Sequence, residues 1–256
     1  LISQSSTPVL DLEVRNAQGE SRGSASEVFY LRGAVLDQYA DGRWTRERGR
    51  GSMLGQAASY VGANTPFSVG PNEPFTDIEL RVTLRNVRQG ETHLFSVWRP
   101  IKFETLTQTN IKHDRTDGTI IRDGPAGKFE YVMRCLDGQP SSFVYRAAQG
   151  PPPTFDSEAI TRLTQQILRD DEPPIDPDPL TRPVTNTARA VGRIRSYLVE
   201  NYAYSLETRT APPGQDPIEW FLFGEDKRGH CEYFAAAMAA MCRSVGINAR
   251  VVTGYV

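Results

Sequence analysis

Gly229-His230-Cys231-Glu232-Tyr233-Phe234-Ala235, continued by Arg243-Ser244-Val245-Gly246-Ile247-Asn248-Ala249-Arg250-Val251-Val252-Thr253-Gly254-Tyr255, is the stretch that decides the reading of this chain. A cysteine opens an Ala- and Met-rich segment, a glycine closes it, and a β-branched run follows. Phe234, Met238, Met241 and Val245 recur at i, i+4, i+7 and i+11, an apolar stripe that predicts a helix packed by its middle with its N-terminus presented. Gly246 ends it as a left-handed C-cap, and the segment from Val251 reads as a strand.

The thiolate, not the thiol, is the nucleophile, and a helix N-terminus favours negative charge through its unpaired N–H groups and aligned dipoles. Cys231 occupies that position. Gly229 lacks a side chain, so a substrate carbonyl can approach the backbone there. The other reading of Cys231 is a buried structural cysteine in a core helix, which is also the reading of Cys242 in mid-helix. Eleven residues put the two about 16 Å apart, far beyond the ~7 Å disulfide limit. Three histidines are available as a base. His230 adjoins Cys231, but side chains one residue apart do not face each other on a helix. His93 and His113 lie far away in a strand-rich half. A working thiol site therefore calls for a further histidine.

That half, up to about residue 148, has a period of two. Its clearest strand is Asp77 to Arg85, with Ile78, Leu80, Val82 and Leu84 on one face and charges on the other, the mark of an antiparallel sheet with one wet face. Similar segments are Val9 to Val14, Val28 to Leu36, Leu94 to Trp98, Thr119 to Arg122, Phe129 to Arg134 and Phe143 to Arg146. Asp41-Gly42, Asp117-Gly118, Asp123-Gly124 and Asp137-Gly138 are turn signals between them. The Gly-, Ser- and Pro-rich segment 49–74 reads as a long loop.

Gly150-Pro151-Pro152-Pro153 marks a boundary, because proline lacks the donor that helices and strands need. Beyond it Ser157 caps a helix with Ile160, Leu163, Ile167 and Leu168 on one side, and a second helix runs from Thr187 to Asn201. The aromatic cluster Trp220-Phe221-Leu222-Phe223 leads into the cysteine. The fold class is thus α+β: an antiparallel β-domain over 1–149, a Pro-rich linker with one helix over 150–185, and a helical nucleophile-bearing unit over 186–256.

Of the 256 residues, 39% are hydrophobic and 23% charged, and the net charge of -2 provides no field suited to nucleic acid. Three cysteines without a C-x-x-C pair argue against a disulfide scaffold or a zinc site, and no cofactor or metal is expected. The apolar run from Phe234 to Cys242 is about half of the ~20 residues that cross a bilayer.

The quoted stretch resembles the nucleophile region of the transglutaminase-like superfamily, which shares a papain-like core. Leu31-Arg32-Gly33, Asp41-Gly42-Arg43-Trp44 and Tyr202-Ala203-Tyr204-Ser205-Leu206 are similar to its bacterial membrane-anchored members. The resemblance implies a cysteine protease or acyltransferase located extracytoplasmically, periplasmic or at the cell surface, acting on a peptide or protein. It implies Cys231 as nucleophile, with Gly229, His230, Glu232, Tyr233 and Trp220 lining the cleft. It places a catalytic His and Asp on strands after Tyr255, so that these 256 residues by themselves are expected to be inactive, and the membrane is reached only through segments outside them. A non-catalytic binding module with a degenerate papain-like half is the alternative. Without later strands, Val251 to Val256 would leave a sheet edge open to association or disorder.

Overall fold

The strand-rich half begins with β1 (Leu10–Arg15), β2 (Ser21–Arg22), β3 (Leu31–Leu36), β4 (Gln38–Ala40), β5 (Arg43–Thr45), β6 (Gln56–Val61) and β7 (Phe67–Ser68). It continues with β8 (Asp77–Val87), β9 (Gly90–Leu94), β10 (Pro100–Thr105), β11 (Thr109–Asp114), β12 (Ile120–Gly124) and β13 (Gly127–Leu136). Then come α1 (Glu158–Arg169), α2 (Val184–Asn201), β14 (Ala203–Tyr204), α3 (Pro217–Phe223), β15 (Arg228–Gly229), α4 (Cys231–Ser244) and β16 (Val251–Tyr255). The computed structural model describes residues 7–22, 27–46, 56–69, 77–97, 100–114, 117–136, 154–179, 181–182 and 184–256. The expected strand at Phe143 to Arg146, the Asp137-Gly138 turn and the prolines at 151–153 lie outside them.

Two antiparallel sheets share one core. The larger runs β2-β1-β8-β13-β10-β7 and the smaller β6-β11-β12-β9. The alternation in β8 does what its sequence requires: Ile78, Leu80, Val82 and Leu84 are buried, and they meet Phe103, Met133 and Tyr131 from one sheet and Leu94, Ile111 and Ile120 from the other. Asp41 and Gly42 both take positive φ, as a two-residue hairpin demands, and join β4 to β5 with Ala40 opposite Arg43.

Three readings of the strands need correction. Strand β9 ends at Leu94, where a strand was expected to start, and among the described residues from there to Val97 only Ser96 bridges, to Arg32. The segment read as a loop carries β6 and β7, which pair with β11 and β10. Neither β10 nor β11 is among the expected strands: β10 is short and alternates only Ile101 and Phe103 with Lys102 and Glu104, and β11 buries the polar Thr109, His113 and Asp114 beside Ile111. Strand β3 does not join either large sheet. It pairs with β16, Val251 opposite Leu36 and Tyr255 opposite Leu31, so the expected open edge is closed on that side by a strand 219 residues earlier, where Ala34 N–H also meets Thr253 Oγ1.

A second core is helical. Ser157 caps α1, its hydroxyl accepting from Ile160 N–H, and Ile160, Ile167, Leu168, Ala190, Ile194, Leu198, Phe221 and Met241 are buried together. Tyr39, Trp44 and Phe155 pack against this core from outside it, with Tyr39 donating to Asp216 Oδ2 at 2.7 Å and Arg243 lying 4.6 Å over the Trp44 ring. No helix among the described residues is long and apolar enough to cross a membrane.

Candidate active site

The segment Cys231–Ser244 is the helix its spacing predicts, but its packing differs from a single stripe. Ala236, Ala237, Ala239, Ala240, Met241 and Cys242 are buried and Phe234 and Met238 only half-buried, because small alanines let α1, α2 and α3 close around α4. Its C-terminus is a Schellman motif: Ile247 N–H donates to Cys242 O at 2.9 Å and Gly246 N–H to Arg243 O at 3.0 Å, with Gly246 at φ 73. The exposed end is therefore the first turn, with Cys231, Glu232 and Ala235 at the surface.

Cys231 is an exposed free thiol, whereas Cys135 and Cys242 are buried and free. Burial pushes the Cys135 thiol well up, and pushes Cys242 from 9.0 up to about 11 against the opposing pull of Arg182. The sign is that of a raised acid. The folded chain keeps a proton that the unfolded chain releases above pH 9, so this stabilisation is complete below pH 9 and lost as pH climbs through 11. We expect the urea midpoint to fall over that window, with Cys242 contributing on the order of 2 kcal/mol. The decline is expected to be shallower in Cys242→Ala.

His230 is the N-cap of α4: its Nδ1 accepts the Glu232 N–H at 3.3 Å, and its ring meets Tyr233 edge-on at 4.8 Å. That nitrogen is occupied as an acceptor. His93 sits on β9 and His113 on β11, in the smaller β-sheet, and burial with Arg46 nearby lowers the His93 pKa.

Gly229 has a packing role. It is buried, and a Cβ there would lie 2.7 Å from the Phe221 ring and 2.8 Å from Tyr233 Cβ, so packing under the loop requires glycine. Tyr233 is half-buried against Phe221 and His230, and Glu232 is exposed in the first turn. The structure thus gathers Gly229, His230, Cys231, Glu232 and Tyr233 at one helix end. Trp220 is half-buried on α3, and its neighbour Phe221 makes ring contacts to Tyr233 and Phe234. Tyr204 was not singled out as a site residue. It pairs opposite Gly229 through the parallel β14–β15 ladder and lies 6.5 Å from the Phe234 ring. The Tyr202-Ala203-Tyr204 alternation just before the aromatic cluster was the available signal.

A β-rich half joined to a helical core, with a lone exposed thiol opening a helix of that core, is the architecture of a transglutaminase-like protein, and residues 177–256 match the transglutaminase-like superfamily. Residues 1–142, more than half of the chain, match the TgpA N-terminal domain, and the chain belongs to that family. Over 78 residues it is 40% identical to the uncharacterized protein YebA of Bacillus subtilis (strain 168), covering 30% of this chain and 10% of that protein. Over 58 residues it is 45% identical to a protein-glutamine gamma-glutamyltransferase of Pseudomonas aeruginosa, covering 22% of this chain and 8% of that one. The matches thus span about a tenth or less of these relatives' lengths. The periplasmic domain of TgpA from Pseudomonas aeruginosa has the same fold. Its ethylmercury-bound structure aligns at a TM-score of 0.57 and 22% identity over 98% of this chain and 77% of that one. A second structure of that domain aligns at 0.57 and 20%, over 98% and 75%.

Proposed function

We propose that this chain carries the nucleophile of an extracytoplasmic acyl-transfer enzyme of transglutaminase-like type. Cys231 thiolate adds to a glutamine-like or peptide carbonyl, the C–N bond breaks as ammonia or the peptide amine leaves with a proton from solvent, and water or an amine then displaces the thiolate from the thioester. The observation that carries this reading is the placement of the one exposed cysteine as the first residue of a helix that is buried largely from Ala236 to Arg243. The Cys231 N–H, which has no intrahelical acceptor at that position, is a donor for the developing oxyanion. The relative described as a protein-glutamine gamma-glutamyltransferase supports a protein substrate. The likeness to a periplasmic domain supports the location.

With Nδ1 of His230 engaged as a cap and His93 and His113 on sheet strands, the chain is expected to be acylated without turning over. Treatment with p-nitrophenyl acetate tests this. The thiolate adds to the carbonyl, a C–S bond replaces the C–O bond, and p-nitrophenolate leaves. We expect one burst of p-nitrophenolate per chain, an acetyl group mapped to Cys231 by mass spectrometry, and no burst in Cys231→Ala. No steady incorporation of an amine into a glutamine donor is expected. A chain that shows no burst, or a burst that survives Cys231→Ala, overturns the reading and leaves the binding-module alternative.

A further inference from the structure

We infer that Tyr204 and Phe234, beside the Cys231 thiol, form a subsite for an aromatic or branched apolar side chain of the peptide substrate. The inference rests on the acyl-transfer reading of Cys231. The first observation is register. Strand β14 runs parallel to β15 with Tyr204 opposite Gly229, and Ser205 N–H donates to Gly229 O at 2.9 Å. The Tyr204 ring reaches Phe234 with centroids 6.5 Å apart. Phe234 follows Cys231 by three residues, which puts both on one side of α4, one above the other.

The second observation is exposure. Tyr204 is 63% exposed and Leu206, two residues on, is 40% exposed. The third is support from below. Phe234 meets Phe221 edge-on at 5.2 Å, Phe221 is buried, and the Gly229 position is closed to any larger residue by Phe221 and Tyr233. The platform is thus fixed beneath and open above.

Its distance from the thiol selects the occupant. Residues three apart on a helix have Cβ atoms about 5–6 Å from each other, and an extended peptide advances about 3.3–3.6 Å per residue. A peptide with one carbonyl at Cys231 therefore lays the side chain of the residue one or two positions away over Tyr204 and Phe234. Ring faces and edges recognise an apolar or aromatic group there.

Paired chloroacetamides test the subsite on the 256-residue chain without requiring turnover. In each, the thiolate attacks the methylene carbon, the C–S bond forms as C–Cl breaks, chloride leaves, and the thiol proton passes to buffer. Rates of N-benzyl-2-chloroacetamide and N-methyl-2-chloroacetamide at Cys231 are followed by mass spectrometry and divided by each reagent's rate with glutathione. We expect the normalised rates to favour the benzyl reagent by about tenfold. The preference falls to near unity in Tyr204→Ala and persists in Tyr204→Phe. It also persists in Val199→Ala, a change at an exposed residue of α2. A ratio near unity in the parent chain, with both reagents reacting, overturns the subsite and leaves the acyl-transfer reading standing. A preference that survives Tyr204→Ala also overturns the subsite. A Cys231 inert to both reagents overturns the acyl-transfer reading and the subsite with it.

Discussion

Iodoacetamide at neutral pH is expected to alkylate Cys231 in the folded chain and to leave Cys135 and Cys242 unmodified. Only Cys231 is exposed; Cys135 lies in the β-core on β13 and Cys242 is 3% exposed on α4. Access is one reason and ionisation the other, because alkylation proceeds through the thiolate. Burial holds Cys242 at about 11 and Cys135 higher still. Compared with an ordinary thiol near ~8.5, Cys242 carries a few-hundred-fold less thiolate at pH 7, roughly a factor of 300. Time-resolved peptide mass spectrometry should show Cys231 fully modified before either buried thiol reaches about 1%, and all three modified at similar rates in urea. Comparable labelling of Cys231 and Cys242 in the folded state would mean that the first turn of α4 is not open, and the proposed nucleophile would lose its support.

Gly254→Ala is expected to detach β16 from β3. A Cβ at Gly254 would lie 1.7 Å from Leu31 O and 3.2 Å from Arg32 Cα, both backbone atoms that no rotamer change can move. The ladder already shifts register between Val252 and Gly254, so the two strands approach most closely where a side chain is missing. Overpacking of this kind costs about 1–3 kcal/mol and occasionally more, and here the backbone itself must yield, which argues for the upper end. The consequence is local: amides of Val251–Tyr255 and Leu31–Leu36 should exchange about a hundredfold faster, while the α1 and α2 amides change little. The 5.0 Å edge contact between Phe95 and Tyr255 should loosen with them. Unchanged exchange in β3 would show that this pairing does not hold the strand.

The two predictions probe parts of the molecule that were not equally visible in its residues. The helix opened by Cys231 was legible because its signals are local: an apolar periodicity within it and a glycine after it that takes the positive φ the cap requires. The alternation of β8 and the Asp41-Gly42 hairpin were legible for the same reason. Strands β10 and β11 were not. Strand β10 offers only two alternating apolar residues, Ile101 and Phe103, and β11 buries Thr109, His113 and Asp114, polar residues whose burial is set by the neighbouring strands and not by the local pattern.

Around the thiol the division is similar. The cysteine, its helix and the unsuitability of His230 as a base were read from adjacent residues, and the structure adds the reason that Nδ1 of His230 serves the helix cap. Gly229 was singled out for substrate access, and the structure adds a packing role, because a Cβ there would meet Phe221 and Tyr233. Trp220 was nominated from an aromatic run in which Phe221 makes the ring contacts to Tyr233 and Phe234. Helical phase selects between neighbouring residues, and the direction of α3 relative to α4 sets that phase.

By itself, then, the sequence determined what is encoded within about a dozen neighbouring residues: helices, caps, tight turns, the α+β class and a thiol at a helix start. Only the tertiary structure decided that β3 pairs with β16, and that Tyr204 lies opposite Gly229. Both depend on contacts between residues far apart in the chain. Such pairings are chosen by the fit of surfaces and the absence of a side chain at Gly254 and Gly229, and that fit exists only once the chain has folded.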